Sequence, residues 1–171
     1  MSAAAGTMAW VLTEWRHRGK PTVLGAASGC IAGLGTITPA SGFVTPVGAL
    51  FIGLIAGTIC YWAVMLKGRF GYDDSLDVVG VHGVGGIFGT VAVGLFATTA
   101  VNASGANGLF FGNPRLLATQ AAGAAIVAVY AFAVTWALMK SLEKTMGLRV
   151  SREDEIMGLD LTQHGESAYN W

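Results

Sequence analysis

Apolar positions along the chain fall into five runs separated by short polar or charged stretches. Four of them, Val23–Phe43, Val44–Leu66, Leu76–Ala97 and Leu116–Met139, approach or reach the roughly 17–25 residues a helix needs to cross a bilayer. The first run, Ser2–Trp15, is shorter. At about 1.5 Å per residue it covers roughly 21 Å, less than the ~30 Å hydrocarbon core. Helices satisfy their own backbone hydrogen bonds in lipid, so the pattern predicts an all-α integral membrane protein. Five helices are expected from residues 1–146, followed by a separate tail over 147–171.

Glycine spacing says how those helices meet. Gly25, Gly29 and Gly33 recur every four residues, as do Gly53 and Gly57, and again Gly85 and Gly89. Small residues on one face let helix backbones approach closely where no hydrophobic force drives association. A glycine-rich transmembrane bundle follows. Composition agrees: 53% of residues are hydrophobic and only 12% charged, against roughly 25% charged in ordinary soluble domains.

The few charges set an orientation. Arg16, Arg18 and Lys20 follow the first run, and Lys67 and Arg69 follow the third. Lys140, Lys144, Arg149 and Arg152 follow the fifth, which leaves Arg115 alone on the opposite side. By the positive-inside rule these nine cations face the cytoplasm, the tail with them, and the N-terminus lies outside. The opening MSAAAGTMAW has no basic region and no cleavage site of a signal peptide. A short first helix with no device to translocate it is expected to belong to a longer membrane protein that continues upstream; the alternative is that Met1 is a true start and a partner completes the helix.

Candidate chemistry is concentrated in DVVGVHGVGGIFGT, where His82 stands in an apolar, glycine-rich helix. Ionisable groups inside a membrane usually mark a substrate or proton pathway. Asp74, Val78 and His82 lie at i, i+4 and i+8, one stripe spanning about 12 Å of a continuous helix. Asp77 lies one residue off it, at the cytoplasmic mouth. Gly80, Gly83, Gly85 and Gly86 are expected to leave room beside the imidazole for a small permeant or a second histidine. Asp73, Asp74 and Asp77 equally suit a helix N-terminal cap, and one role does not exclude the other.

Other chemistries lack their residues. Cys30 and Cys60 have no CxxC partner and read as packing residues. The three histidines show no zinc spacing, and the glycines form no phosphate or dinucleotide fingerprint. His17, between Arg16 and Arg18, reads as a solvated loop residue. Neither enzyme, cofactor, metal nor nucleic acid is expected. The tail GLRVSREDEIMGLDLTQHGESAYNW carries Leu148, Val150, Ile156, Met157, Leu159 and Leu161, enough apolar surface to dock beneath the membrane domain. A phosphate on Thr162 would add about two negative charges there.

Three segments, GLGTITPASGFVTPVGALFIGLIAG, DDSLDVVGVHGVGGIFG and GLRVSREDEIMGLDLTQHGESAY, together resemble the ammonium transporter family (Amt/Mep/Rh) in its Amt branch. The resemblance implies helices seven to eleven of an eleven-helix fold made of two inverted halves, assembled as a homotrimer in the plasma membrane. It implies that ammonium is recruited outside and deprotonated, and that ammonia is conducted past a pore histidine. His82 resembles the second of two pore histidines, Asp74 the pore-entry aspartate of this half, and Val78 a pore-lining apolar residue. Thr162 resembles a tail phosphorylation switch, which points to a kinase or nitrogen-regulatory signal protein at the cytoplasmic face. The first pore histidine, the phenylalanine gate and the outer recruitment site belong to a half this chain lacks, so the chain alone is expected to be inactive. A non-transporting ammonium sensor or membrane scaffold is the alternative.

Overall fold

The computed structural model describes residues 1–167; residues 168–171, the end of the tail, lie outside the described residues. The chain divides into two units, Met1–Val127 and the part from Ala128 onward. Helix α1 covers Ser2–Arg18, α2 Val23–Ile37, α3 Pro46–Phe70, α4 Val84–Phe96, α5 Pro114–Thr145 and α6 Arg152–Met157. Four segments are long and apolar enough to cross a membrane: Val23–Ala40, Pro46–Phe70, Val79–Phe96 and Pro114–Thr145.

Local chemistry sets the boundaries. α1 runs three residues past the apolar stretch, because Arg16, His17 and Arg18 suit the negative end of its dipole. It stops at Gly19, whose φ of 80° a side chain would resist. His17 is therefore helical rather than a loop residue: its Nδ1 lies 2.6 Å from the buried Tyr61 hydroxyl, and its ring leans on Trp62. Thr22 caps α2 and Thr45 caps α3, each side chain accepting the N–H of the glycine three residues on. α2 ends at Ile37, short of the expected Phe43, because Pro39 enters a tight 3-10 turn over Thr38–Ala40.

α1 packs against α2 and α3, which also touch each other, and α4 lies against both. Glycines make the contact. A Cβ on Gly6 would fall 2.5 Å from the Gly29 carbonyl oxygen, and one on Gly29 would fall 2.5 Å from Trp10 Cβ. Gly33 and Gly53 both abut the Ser2 carbonyl, Gly57 the Gly6 carbonyl and Gly89 the Thr36 carbonyl. The Ser2 hydroxyl also donates to the Gly33 carbonyl oxygen at 2.8 Å. The fourfold spacing seen in the sequence is thus the spacing of backbone-to-backbone contact. Within the first unit, Gly94 of α4 meets the α5 backbone at Leu117. No residue of α5 is buried.

In the second unit, Ser151 caps α6 by accepting the Asp154 N–H, and Arg149 pairs with Glu155 at 2.8 Å. A wide π-helical turn, Asp160–His164, follows. The Thr162 hydroxyl donates to the Gly158 carbonyl at 3.1 Å. Leu148, Ile156, Met157, Leu159 and Leu161 are all exposed.

Candidate functional site

The helix that carries His82 is held at its start by a cluster of charged groups. α3 ends at Gly71, in the left-handed region at φ 65°, and the chain turns back through Tyr72–Leu76. The Asp74 carboxylate then accepts from the Val78 N–H at 2.8 Å and the Val79 N–H at 2.9 Å. These are two of the donors a helix start leaves without partners. From α3, Lys67 donates to the Asp74 carbonyl at 2.7 Å and pairs with the Asp77 carboxylate. Asp77 has φ 57°, the only non-glycine positive φ among the described residues. It is a costly conformation, which the Lys67 pair helps to hold in place.

The expected stripe of Asp74, Val78 and His82 on one continuous helix does not form. Asp74 precedes the helix and caps it, and the next residues make a π-helical turn, Val79–Gly83, before α4 begins. A π turn breaks the 3.6-residue repeat on which the stripe depended. Val78 remains 48% exposed, and Asp74 and Asp77 are half-buried. The glycines around the histidine divide into two kinds. Gly80 is pressed against Val64 and Gly85 against Thr36 and Cys60, so both serve packing. A Cβ on Gly83 would meet only its own turn, and one on Gly86 would meet nothing within 4 Å.

That leaves the imidazole open on one side. His82 is exposed, takes no hydrogen-bond partner among the described residues, and lies beside Gly35 of α2, where a Cβ would sit 3.8 Å from Nδ1. Behind it, Val81 is buried and its carbonyl receives the Cys60 thiol at 3.7 Å. Cys60 is thus a packing residue with a weak donor role.

One buried acid escaped the sequence reading. Glu14 is only 3% exposed, and its carboxylate accepts from the Thr22 N–H at 3.1 Å and the Thr22 hydroxyl at 3.1 Å. Arg18 lies 3.7 Å away on the next turn. A charge so buried requires partners of this kind. The signal was present: an acid just before a basic cluster, in a stretch that carries no charged side chain over its first thirteen residues.

A glycine-packed helical bundle with an unpartnered histidine facing out of a membrane-length helix is the architecture of a multi-pass membrane protein. The chain belongs to the Ammonium Transporter Family, whose family model matches residues 1–169. It is 52% identical over 169 residues to an ammonium transporter of Bacillus subtilis, covering 98% of this chain and 42% of that protein. The crystal structure of Saccharomyces cerevisiae Mep2 superposes with a TM-score of 0.86 at 34% identity, covering 99% of this chain and 40% of Mep2. A structure titled Sensor Amt Protein matches at 0.78 and 28% identity, over 95% of this chain and 39% of its own. The chain therefore spans about two fifths of the length of these relatives. The family is one of transporters, not enzymes.

Proposed function

We propose that this chain forms part of a transmembrane pathway for ammonium, in which the neutral molecule passes the His82 imidazole and the proton travels separately. One observation carries the reading: His82 is the ionisable side chain of the apolar span Val79–Phe96, and it is exposed with no partner taken among the described residues. A bare cation is expensive to move through an apolar passage, whereas ammonia is not. Imidazole near neutral pH both accepts and donates a hydrogen bond, which serves ammonia and a migrating proton alike. Val78 supplies apolar lining near the entry, and Asp74 acts there by fixing the helix start.

In this reading the basic ends of α1, α3 and α5 face the cytoplasm of a plasma-membrane protein, with Asp77 at the inner mouth and the tail on the same side. The working unit is a homotrimer of a longer polypeptide, and the 171-residue chain alone conducts nothing, because such transporters build their site between repeats. The tail regulates. A phosphate on Thr162 displaces the Gly158 hydrogen bond and adds charge beside Asp160 and Glu166, which a signal protein or kinase at that face exploits. A sensor function is the second reading, favoured by the likeness to the sensor structure.

The test is a chimera in which this chain replaces the matching segment of the Bacillus subtilis transporter. Saturable ammonium or methylammonium uptake in reconstituted vesicles supports transport. Ligand-dependent structural change with no flux favours the sensor.

A further inference from the structure

The π turn that carries His82 has a cause in the packing around it. Gly80 faces α3, where a Cβ would meet Val64 Cγ2 at 2.7 Å and the Val64 backbone nitrogen at 3.0 Å. Gly85 faces the same helix one turn earlier: a Cβ there would lie 3.3 Å from Cys60 Sγ, and 2.8 Å from Thr36 Oγ1 on α2. Five residues of a regular α-helix advance about 500°, roughly 140° beyond a full turn, so Gly80 and Gly85 would not both face α3. A π turn, bonded from each N–H to the carbonyl five residues back, narrows that angle. The Val84 N–H makes such a bond to the Val79 carbonyl. His82 and Gly83, between the two packed glycines, are left on the exposed side.

The start of the turn is fixed by one side chain of α3. Lys67 lies three residues beyond Val64 and emerges on nearly the same face. Its ammonium joins the Asp74 carbonyl, at 2.7 Å, to the Asp77 carboxylate. The Asp74 carbonyl also accepts the Asp77 N–H at 3.2 Å, and the Asp77 carbonyl accepts the Val81 N–H at 2.9 Å. Two backbone hydrogen bonds therefore lead from the Lys67 contacts to the residue before His82. Asp77 sits between them at φ 57°, a conformation that persists only where neighbours over-determine it and that concentrates at functional sites.

We propose that Lys67 is a positioning residue for His82: with Gly80 and Gly85 it holds the turn that points the imidazole to its open side. The consequence for transport rests on the reading above; the effect on the ring does not. Without the ammonium, Asp77 is free to return to the right-handed region and the turn to wind as regular α-helix. One residue's worth of rotation, about 100°, is then taken up around His82, which leaves its place beside Gly35. Asp74 still caps the helix start through Val78 and Val79, so the helix survives while its phase is lost.

The test uses the full 171-residue chain in lipid nanodiscs with ¹⁵N-labelled histidine, and His82→Gln identifies the His82 ring signals among the three histidines. In Lys67→Met, which keeps much of the side chain without its charge, those signals should move or split. In Lys67→Arg, which keeps a cationic donor, they should return to the parent positions. Gly29→Ala strains the bundle between α1 and α2 instead and should leave them in place. In the chimera, Lys67→Met should lower the maximal rate of ammonium uptake at least tenfold with KM changed less than threefold, and Lys67→Arg should restore most of it. His82 signals unmoved in Lys67→Met, moved as far by Gly29→Ala, or not restored by arginine would overturn the proposal. If Lys67→Met fails to fold, Asp77→Asn, which removes the ion pair alone, takes its place, and unmoved signals there overturn it. Moved signals with unchanged uptake would remove His82 from the transport route and leave its positioning by Lys67 standing.

Discussion

Replacing Gly29 with alanine tests the packing of the bundle. The added Cβ lands 2.5 Å from Trp10 Cβ, 2.8 Å from the Gly6 carbonyl oxygen and 3.0 Å from Thr7 Cα. Carbon atoms rest at about 3.5–4.0 Å, so the shortfall against Trp10 is about 1 Å. None of the three obstacles is the free end of a flexible side chain, so α1 must shift as a body and strain the Ser2–Gly33 hydrogen bond with it. Overpacking of this kind costs up to about 3 kcal/mol, and alanine's better helix propensity returns about 1, leaving a net loss of about 2 kcal/mol. Gly68→Ala is the control, since a Cβ there meets nothing within 4 Å. It should gain about 0.5–1 kcal/mol. Reversible unfolding of both variants in bicelles, followed by steric trapping, measures the difference, expected near 3 kcal/mol by adding the two effects. A Gly29→Ala protein as stable as Gly68→Ala would refute the close backbone contact between α1 and α2.

Three further outcomes follow from particular residues. Asp77→Gly and Asp77→Ala both lose the Lys67 ion pair, but only glycine accepts φ 57° freely, so the alanine variant should be less stable by about 1 kcal/mol. Equal stability in the same unfolding assay would mean position 77 is unstrained. The Thr36 hydroxyl is fully buried with no hydrogen-bond partner among the described residues, so Thr36→Val should be neutral or stabilising by about 1 kcal/mol, and a marked loss would reveal a hidden partner. In liposomes, the 171-residue chain alone should show no saturable ammonium uptake above empty vesicles; uptake would show that it forms a pathway by itself.

The membrane spans were legible in the sequence because hydropathy and length answer to one physical demand, a backbone closed on itself in lipid. Glycine spacing was legible for a related reason: a fourfold repeat of residues without side chains has few uses in a helix other than close approach. Legibility failed where the backbone leaves the regular α repeat. The stripe through Asp74, Val78 and His82 assumed 3.6 residues per turn, but a left-handed Asp77 and a π turn intervene. Neither has a local composition signal strong enough to displace the helical reading. Gly80 and Gly85 looked like open space around the imidazole, yet packing on α3 and α2 consumes both, which only the neighbouring helices decide. Glu14 and His17 were missed or misplaced because their partners, Thr22 and Tyr61, meet them only once the bundle forms.

The central claim is that His82 lies on the route ammonium takes. It is tested most directly by methylammonium and ammonium flux through reconstituted vesicles carrying the chimera, compared between the parent and His82→Ala at equal protein density. The substitution should change the ratio of the two fluxes, or the proton movement accompanying them, by more than tenfold while the variant folds and assembles as the parent chimera does. Fluxes, selectivity and proton coupling all unchanged in His82→Ala would contradict it.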